Sequence, residues 1–193
     1  MRTRTLAVVS AAVAFAAPAS ADVIWDEAIN GDLSSDNLNP TLLAFVPGSN
    51  MVFGSTSPEP ELDPDYFTMV IPAGYELSSI IFEEYVSGDD QAFFAVEAAA
   101  QITDPFDPTA LLSAVLIGSL PGTMQGDELL DDLQNPNVWG GFTGNLPAGT
   151  YTFWYQEITT TTDYGFDFVI TPVPAPATAT LAVGGLLLAR RRR

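Results

Sequence analysis

Short runs of alternating hydrophobic and polar residues dominate the middle of the chain. The two clearest runs cover residues 150–158 and 163–170. Successive side chains of a strand point to opposite faces, so each run predicts a strand with one aromatic face. The two predicted faces consist of Tyr151, Phe153 and Tyr155, and of Tyr164, Phe166, Phe168 and Ile170.

Five further runs are rich in aromatic and β-branched residues and are cut by Gly, Pro, Asn and Asp, which is typical of short strands. They cover residues 51–54, 66–71, 77–85, 93–98 and 111–120. The threonine run 159–162 suits a hairpin connection or a strand extension, and Pro172 and Pro174 end the last strand. Residues 127–133 predict one short helix, because acids in a first turn suit the helix dipole.

Many short strands without a βαβ rhythm favour an all-β fold, an antiparallel β-sandwich with at most one short helix. Residues 22–170 have the length of one domain. Both flanking segments, residues 1–21 and 171–193, have a different composition.

The first 21 residues have the three parts of a secretory signal peptide. Arg2 and Arg4 precede an apolar stretch at 6–17, and small residues follow at 18–21. Because this end fits the A-x-A rule, we predict cleavage between Ala21 and Asp22. A membrane anchor, the alternative, needs about 20 apolar residues, and this stretch is shorter.

The C-terminal segment combines a proline-rich tetrapeptide, a short apolar run at 177–189 that predicts a hydrophobic helix, and a cluster of arginines. The arginines would stay in the cytoplasm by the positive-inside rule. The segment therefore predicts transient anchoring in the inner membrane before processing, and an uncleaved anchor is the alternative. The residues of this signal are Val173, Pro174, Ala175 and Pro176, and Arg190, Arg191, Arg192 and Arg193.

This order resembles the PEP-CTERM sorting signal, which exosortases recognise in Gram-negative bacteria that make extracellular polysaccharide. The resemblance covers about the last twenty residues and rests on the three-part layout. Ala175 stands where the family has glutamate, which points to a variant sortase. Residues 58–60 read Pro-Glu-Pro but have no hydrophobic run behind them, so we interpret them as a loop. The resemblance implies an exosortase-type partner and a secreted or cell-surface location.

A second resemblance lies within the middle domain. Residues 63–68 (DPDYFT) lead into 71–74 (IPAG), and 146–151 (LPAGTY) open the strongest strand. These motifs are similar to bacterial pre-peptidase C-terminal (PPC) domains, over residues 63–170. The resemblance implies a jelly-roll-like β-sandwich that is often associated with calcium and is not itself catalytic. Tight turns also require such Pro-Ala-Gly segments, so a plain β-sandwich remains the alternative.

The composition limits the catalytic and ligand-binding chemistry that the chain can support. The chain has 24 acidic residues, 6 arginines and no His, Cys or Lys, for a net charge of -18. Every basic residue lies in the two terminal segments, so the middle domain is purely acidic. Nucleophilic His pairs, Schiff-base lysines and the usual zinc, haem and iron–sulfur ligands are excluded. Nucleic-acid binding is disfavoured because no base can neutralise phosphate.

Calcium is the cofactor that such a surface suits, since it takes six to eight oxygen ligands. The candidate ligands are the pairs Asp63 and Asp65, Asp89 and Asp90, and Asp104 and Asp107. A fourth acidic group comprises Asp127, Glu128, Asp131 and Asp132. The spacing of an EF-hand is missing, and the alternative is that these acids only solvate the surface.

Two other activities are weaker candidates. Adjacent carboxylates such as Glu83 and Glu84 face opposite sides of a strand, which disfavours glycoside hydrolysis. Exposed aromatic rings suit a sugar platform, and Trp139, which is followed by Gly140 and Gly141, is the best loop candidate. Core packing is the preferred interpretation for the other aromatic candidates, Trp25, Trp154, Tyr75 and Tyr155.

These patterns together predict a secreted, non-enzymatic protein with a structural or adhesive role in extracellular polysaccharide. Its negative charge keeps it soluble and allows bridging by divalent cations. Folding is expected to depend on salt or calcium. The alternative is a calcium-dependent carbohydrate-binding module, and a small carboxylate-based polysaccharide-modifying enzyme is a third option.

Overall fold

The computed structural model describes residues 21–58, 60, 62–119 and 121–174. Strands dominate these residues, with two short α-helices and one 3₁₀ turn at Pro108–Ala110. The elements are β1 (Asp22–Asp26), α1 (Glu27–Asn30), β2 (Thr41–Leu42), β3 (Gly48–Thr56), β4 (Asp65–Ile71), β5 (Tyr75–Val86), β6 (Gln91–Glu97), β7 (Ser113–Gly118), α2 (Leu130–Gln134), β8 (Trp139–Gly140), β9 (Gly149–Gln156) and β10 (Thr162–Pro172).

The strands form two sheets, with the orders β1-β3-β10-β5 and β2-β4-β9-β6-β7-β8. Pairing within the sheets is antiparallel except at one edge of each, where β1 joins β3 and β2 joins β4 in parallel. The chain therefore passes from one sheet to the other between β1 and β2. We call residues 27–40 the crossing segment.

The aromatic faces of β9 and β10 meet in the main core. Phe166 lies 4.7 Å from Phe94 and Phe168 lies 5.0 Å from Phe153, measured between ring centroids. Each of these pairs joins one sheet to the other, and such ring contacts add to the free energy of apolar burial. Two sheets packed through one core are consistent with the predicted β-sandwich.

All seven predicted strands are confirmed, with ends shifted by a few residues. Of the two alternatives for the threonine run, the hairpin is wrong, because β9 and β10 lie in different sheets. A hairpin would place both aromatic faces on the same side of one sheet, whereas the core needs them to face each other. Thr162 instead begins β10, as the strand-extension alternative had it.

The predicted helix at 127–133 exists as α2 and begins three residues later, at Leu130. Leu130 and Leu133 are buried against the core, and the amide of Asn135 closes the helix on the carbonyls of Asp131 and Asp132. The expected limit of one helix is wrong, because Asp26 caps the extra helix α1. A helix of four residues has no apolar periodicity from which to predict it.

The two terminal signals fall mainly outside the described residues. Asp22 begins β1, and the amide of Val173 donates to the carbonyl of Gly74 at 2.9 Å. Residues 1–20 and 175–193, which include Ala175, Pro176 and all six arginines, lie outside the description. Among the residues described, none of the helices has the length and apolar character that crossing a membrane requires.

Candidate metal centre

Two carboxylates of the crossing segment meet a third, from β4, where the crossing segment contacts the six-stranded sheet. Glu27 belongs to α1, Asp32 follows it in the crossing segment, and Asp65 opens β4. Each offers one oxygen, and these oxygens lie within 4.8 Å of one another. We call this group the carboxylate triad.

Asp65 is the buried member of the triad, with 0% of its surface exposed. Its Oδ2 accepts a hydrogen bond of 2.8 Å from the Tyr164 hydroxyl. Its Oδ1 is also buried and has no hydrogen-bond partner among the described residues. Burial, followed by the charge of Glu27, raises the pKa of Asp65 to about 9. A buried carboxylate in these surroundings requires either a proton or a cation.

Glu27 fixes the crossing segment to β3. Its Oε1 accepts from the Leu33 amide at 2.7 Å, and its Oε2 accepts from the Ser55 amide at 2.7 Å. Partial burial is the largest cause that raises the pKa of Glu27, and the charge of Asp32 adds to it. The carboxylate therefore holds its position through backbone amides that belong to both sides of the site.

Asp32 forms the solvent side of the triad, since it is exposed. Gly31 has φ = +92° with open space around it, a conformation that L side chains rarely adopt. This residue turns the chain after α1 and brings Asp32 beside Glu27. Desolvation raises the pKa of Asp32, and the charge of Asp63 raises it further. A ligand can thus approach from the Asp32 side.

The position of Tyr164 depends on a missing side chain. Tyr164 on β10 pairs with Gly54 on β3. A Cβ atom at Gly54 would lie 2.5 Å from the Tyr164 hydroxyl oxygen. Gly54 therefore leaves the room in which that hydroxyl reaches Asp65. An acidic cavity of about 470 Å³ borders this contact and is lined by Glu27, Glu84 and Asp163 among others.

The size and charge of the triad match a calcium ion. Ca²⁺ binds oxygen at about 2.3–2.6 Å, so two of its ligand oxygens can be up to about 5 Å apart, and the triad oxygens all lie within 4.8 Å of one another. The triad supplies three carboxylates, and no Lys or Arg stands anywhere from residue 21 to residue 174 to compete as a counter-charge. Backbone oxygens and water would complete the six to eight ligands that Ca²⁺ takes.

Of the predicted metal ligands, the structure places Asp65 in the triad and Asp63 beside it. The charge of Asp63 raises the pKa of both Asp32 and Asp65. Its Oδ1 accepts a hydrogen bond of 2.7 Å from the Ser35 hydroxyl. Asp63 is therefore a neighbour of the triad that adds negative charge to the site.

The other two predicted pairs occupy turns. Asp89 accepts from the Thr159 hydroxyl and from the Asp90 amide, and these hydrogen bonds lower its pKa. Asp104 accepts from the Phe106 amide, and Asp107 accepts from Thr109 at the start of the 3₁₀ turn. Within the described part of the chain, neither pair gathers a third carboxylate.

In the fourth acidic group, Glu128 accepts hydrogen bonds from amides at the start of α2. The Glu128 carboxylate accepts from the amides of Ile80, Leu130 and Asp131. Partial burial, followed by the charges of Glu128, Asp127 and Asp131, raises the pKa of Asp132 to about 6. These contacts give Glu128 a structural role at the helix start.

The aromatic candidates divide between core and surface. Tyr155 lies in the main core, and Trp154 packs in a second, smaller cluster on the outer face of the six-stranded sheet. Trp25 and Tyr75 are partly buried against the main core. Trp139 is 41% exposed. The preference for core packing is therefore confirmed for Tyr155.

Sequence reasoning missed Glu27 and Asp32. The available signals were the capping residue Asp26 and the turn at Gly31, which together predict a reversal of the chain. No local pattern shows that this reversal lies against residue 65, since the two segments meet only through the sheet packing.

Comparisons with known protein families, curated proteins and solved structures found no match for this chain.

Proposed function

We propose that this chain is a secreted, non-enzymatic β-domain that binds a calcium ion at Glu27, Asp32 and Asp65. The observation that supports this proposal best is the buried Oδ1 of Asp65, which has no hydrogen-bond partner among the described residues. Leaving a buried acceptor unsatisfied costs about 1–3 kcal/mol. A cation beside Asp65 would remove that cost and would also relieve the repulsion among the three carboxylates.

The cation would hold the crossing segment to the body of the domain. Asp65 belongs to β4 of the six-stranded sheet, while Glu27 contacts β3 of the four-stranded sheet through Ser55. Asp32 lies in the chain between the two sheets. One ion bound by all three therefore crosslinks both sheets near their edges, in a chain that has no cysteine to form a disulfide.

The proposed biological role combines this site with the two terminal signals. The N-terminal segment supports secretion, and the C-terminal segment supports processing by an exosortase-type enzyme at the inner membrane of a Gram-negative bacterium. The acidic domain then acts in extracellular polysaccharide as a structural or adhesive component, where divalent cations bridge it to other polyanions. The jelly-roll-like topology implied by the PPC resemblance is part of the same proposal.

The test is thermal unfolding of the full chain in EDTA, in calcium and in magnesium at matched ionic strength. We expect saturating calcium to raise Tm by about 5–10 °C, because binding at 100 times Kd contributes about 2.7 kcal/mol. Magnesium should raise Tm less, since it needs shorter bonds and a stricter geometry. Both Asp65→Asn and Glu27→Gln should abolish the difference between the two metals.

Asp90→Asn is the matched control, because it removes one charge from an exposed side chain in the turn between β5 and β6. This variant should keep the calcium-specific rise. Equal responses to calcium and magnesium in every variant would mean charge screening alone and would contradict the site. A calcium-specific rise that survives Asp65→Asn would contradict the assignment of the ligands.

A further inference from the structure

A groove of about 540 Å³ lies on the outer face of the six-stranded sheet, on the side away from the main core. Phe93, Leu116 and Trp154 line it from β6, β7 and β9, and Pro105 and Pro108 line it from the loop before β7. Its volume is within the range of small-molecule sites, about 300–1,000 Å³. The concave shape favours a compact ligand over a flat protein surface.

Aromatic rings supply apolar faces in and beside this groove. The centroids of Phe93 and Trp154 lie 4.6 Å apart in an edge-to-face contact. Phe106 stands between the two lining prolines in the sequence, is not itself a lining residue, and is 94% exposed. Its backbone is held in a turn, since the Phe106 amide donates to Asp104 Oδ1 and the Asp107 amide donates to the Asp104 carbonyl. The loop thus presents a phenyl ring that a flat apolar ligand face can cover.

Two carboxamides at the groove have unused hydrogen-bonding capacity. Gln156 Oε1 accepts from the Trp154 indole at 3.1 Å. The amino group of Gln156 and the whole carboxamide of Gln91 have no partner among the described residues. A carboxamide both donates and accepts, which is what a ligand that carries hydroxyl groups requires.

The charge of the lining excludes anionic ligands. No basic residue lines the groove, while the carboxylates Asp89 and Glu157 do. Both carboxylates already accept hydrogen bonds from Thr159, so they contribute mainly negative potential. A phosphate or a uronic acid would be repelled.

We propose that this groove binds an uncharged pyranose ring of a polysaccharide. The flat apolar face of the ring would pack on Phe106 and on the aromatic floor, and its hydroxyls would bond to Gln91 and Gln156. This function goes beyond cation binding, because no triad residue lines the groove.

The test is calorimetric titration of the full chain with cellohexaose, maltohexaose and mannohexaose, with alginate as the anionic comparator. At least one neutral hexasaccharide should bind, in EDTA as well as in calcium. Phe106→Ala should weaken that binding by ~5–10-fold, which is the loss of one aromatic contact. Gln91→Ala should weaken it by a few-fold, and both variants should keep the parent Tm because these side chains are exposed or unpaired.

Leu42→Ala is the matched control, since Leu42 is 69% exposed on β2 at the edge of the same sheet. This variant should bind the hexasaccharide as tightly as the parent does. The proposal is overturned if no neutral hexasaccharide binds, if alginate alone binds, or if Phe106→Ala and Gln91→Ala bind as tightly as the parent. Asp65→Asn separates the two proposals, because this variant should lose the calcium-specific rise in Tm and should still bind the neutral hexasaccharide.

Discussion

Asp132 is a residue whose surroundings favour its neutral form, and its effect on stability depends on pH. Its folded-state pKa of about 6 lies above the ordinary value of 3.8. The folded state therefore binds the proton more tightly than the unfolded state does. The free energy of unfolding falls as pH rises between these two values, and the full cost is present above about pH 6.

Asp132→Asn should consequently raise Tm by ~1–3 °C at neutral pH, a small effect because solvent screens a partly exposed group. The gain should fade as pH falls toward the ordinary carboxyl value. Melting curves of the parent and the variant across this pH range provide the measurement. A gain of equal size at every pH, or a loss at neutral pH, would show that the charge of Asp132 is not the cause.

Gly54 tests the packing that positions Asp65. In Gly54→Ala the new methyl group would meet the fully buried Tyr164. We expect a loss of about 1–3 kcal/mol in the free energy of unfolding, as for other overpacked sites. Gly88→Ala is the control, because Gly88 is exposed and the nearest atom to a new Cβ is the hydroxyl of the half-buried Thr160 at 3.3 Å, a side chain that can shift by the few tenths of an ångström required. Denaturant titration of both variants measures the two losses in the free energy of unfolding. Equal losses would contradict the role of Gly54 in leaving room for Tyr164.

At the scale of elements, calcium should stabilise the crossing segment selectively. The amides of Leu33 and Ser55 donate to Glu27, so a cation that fixes Glu27 also fixes these amides. Hydrogen exchange should slow in residues 27–40 on addition of calcium, while the central strand β10 should change little. Uniform slowing over both regions would indicate global stabilisation without a local site.

The main strands could be predicted because alternation reports directly on burial. In β10, residues 164, 166, 168 and 170 alternate with polar or smaller residues, and the four are all in the main core. Alternation carries no information about which strands pair, and this is why the sequence leaves a hairpin between β9 and β10 as open as a strand extension. The strands β2 and β8 have two residues each, too few for any alternation.

The candidate site was predictable only in part for the same reason. Asp65 stands immediately before the hydrophobic run of β4, so its place near a strand end was visible in the sequence. Its full burial and its contact with Tyr164 depend on residue 164 in the opposite sheet. Glu27 and Asp32 reach it only because β1 and β2 add to different sheets.

At the scale of the whole molecule, charge repulsion adds a second and less specific dependence on ions. All 24 acidic residues lie between positions 22 and 167, and no basic residue lies among them. Sodium chloride should therefore raise Tm of the parent and of every charge variant through screening, even in EDTA. Melting temperatures that do not change with salt would contradict this charge-repulsion argument.

The proposed calcium site requires that one ion binds the carboxylate triad. Calorimetric titration of calcium into the full chain, in the background of high sodium chloride, tests it most directly because salt screens diffuse binding to surface acids. We expect one saturable site per chain that is lost in Asp65→Asn and kept in Asp90→Asn. The absence of any saturable site, or the same binding in Asp65→Asn as in the parent, would contradict it.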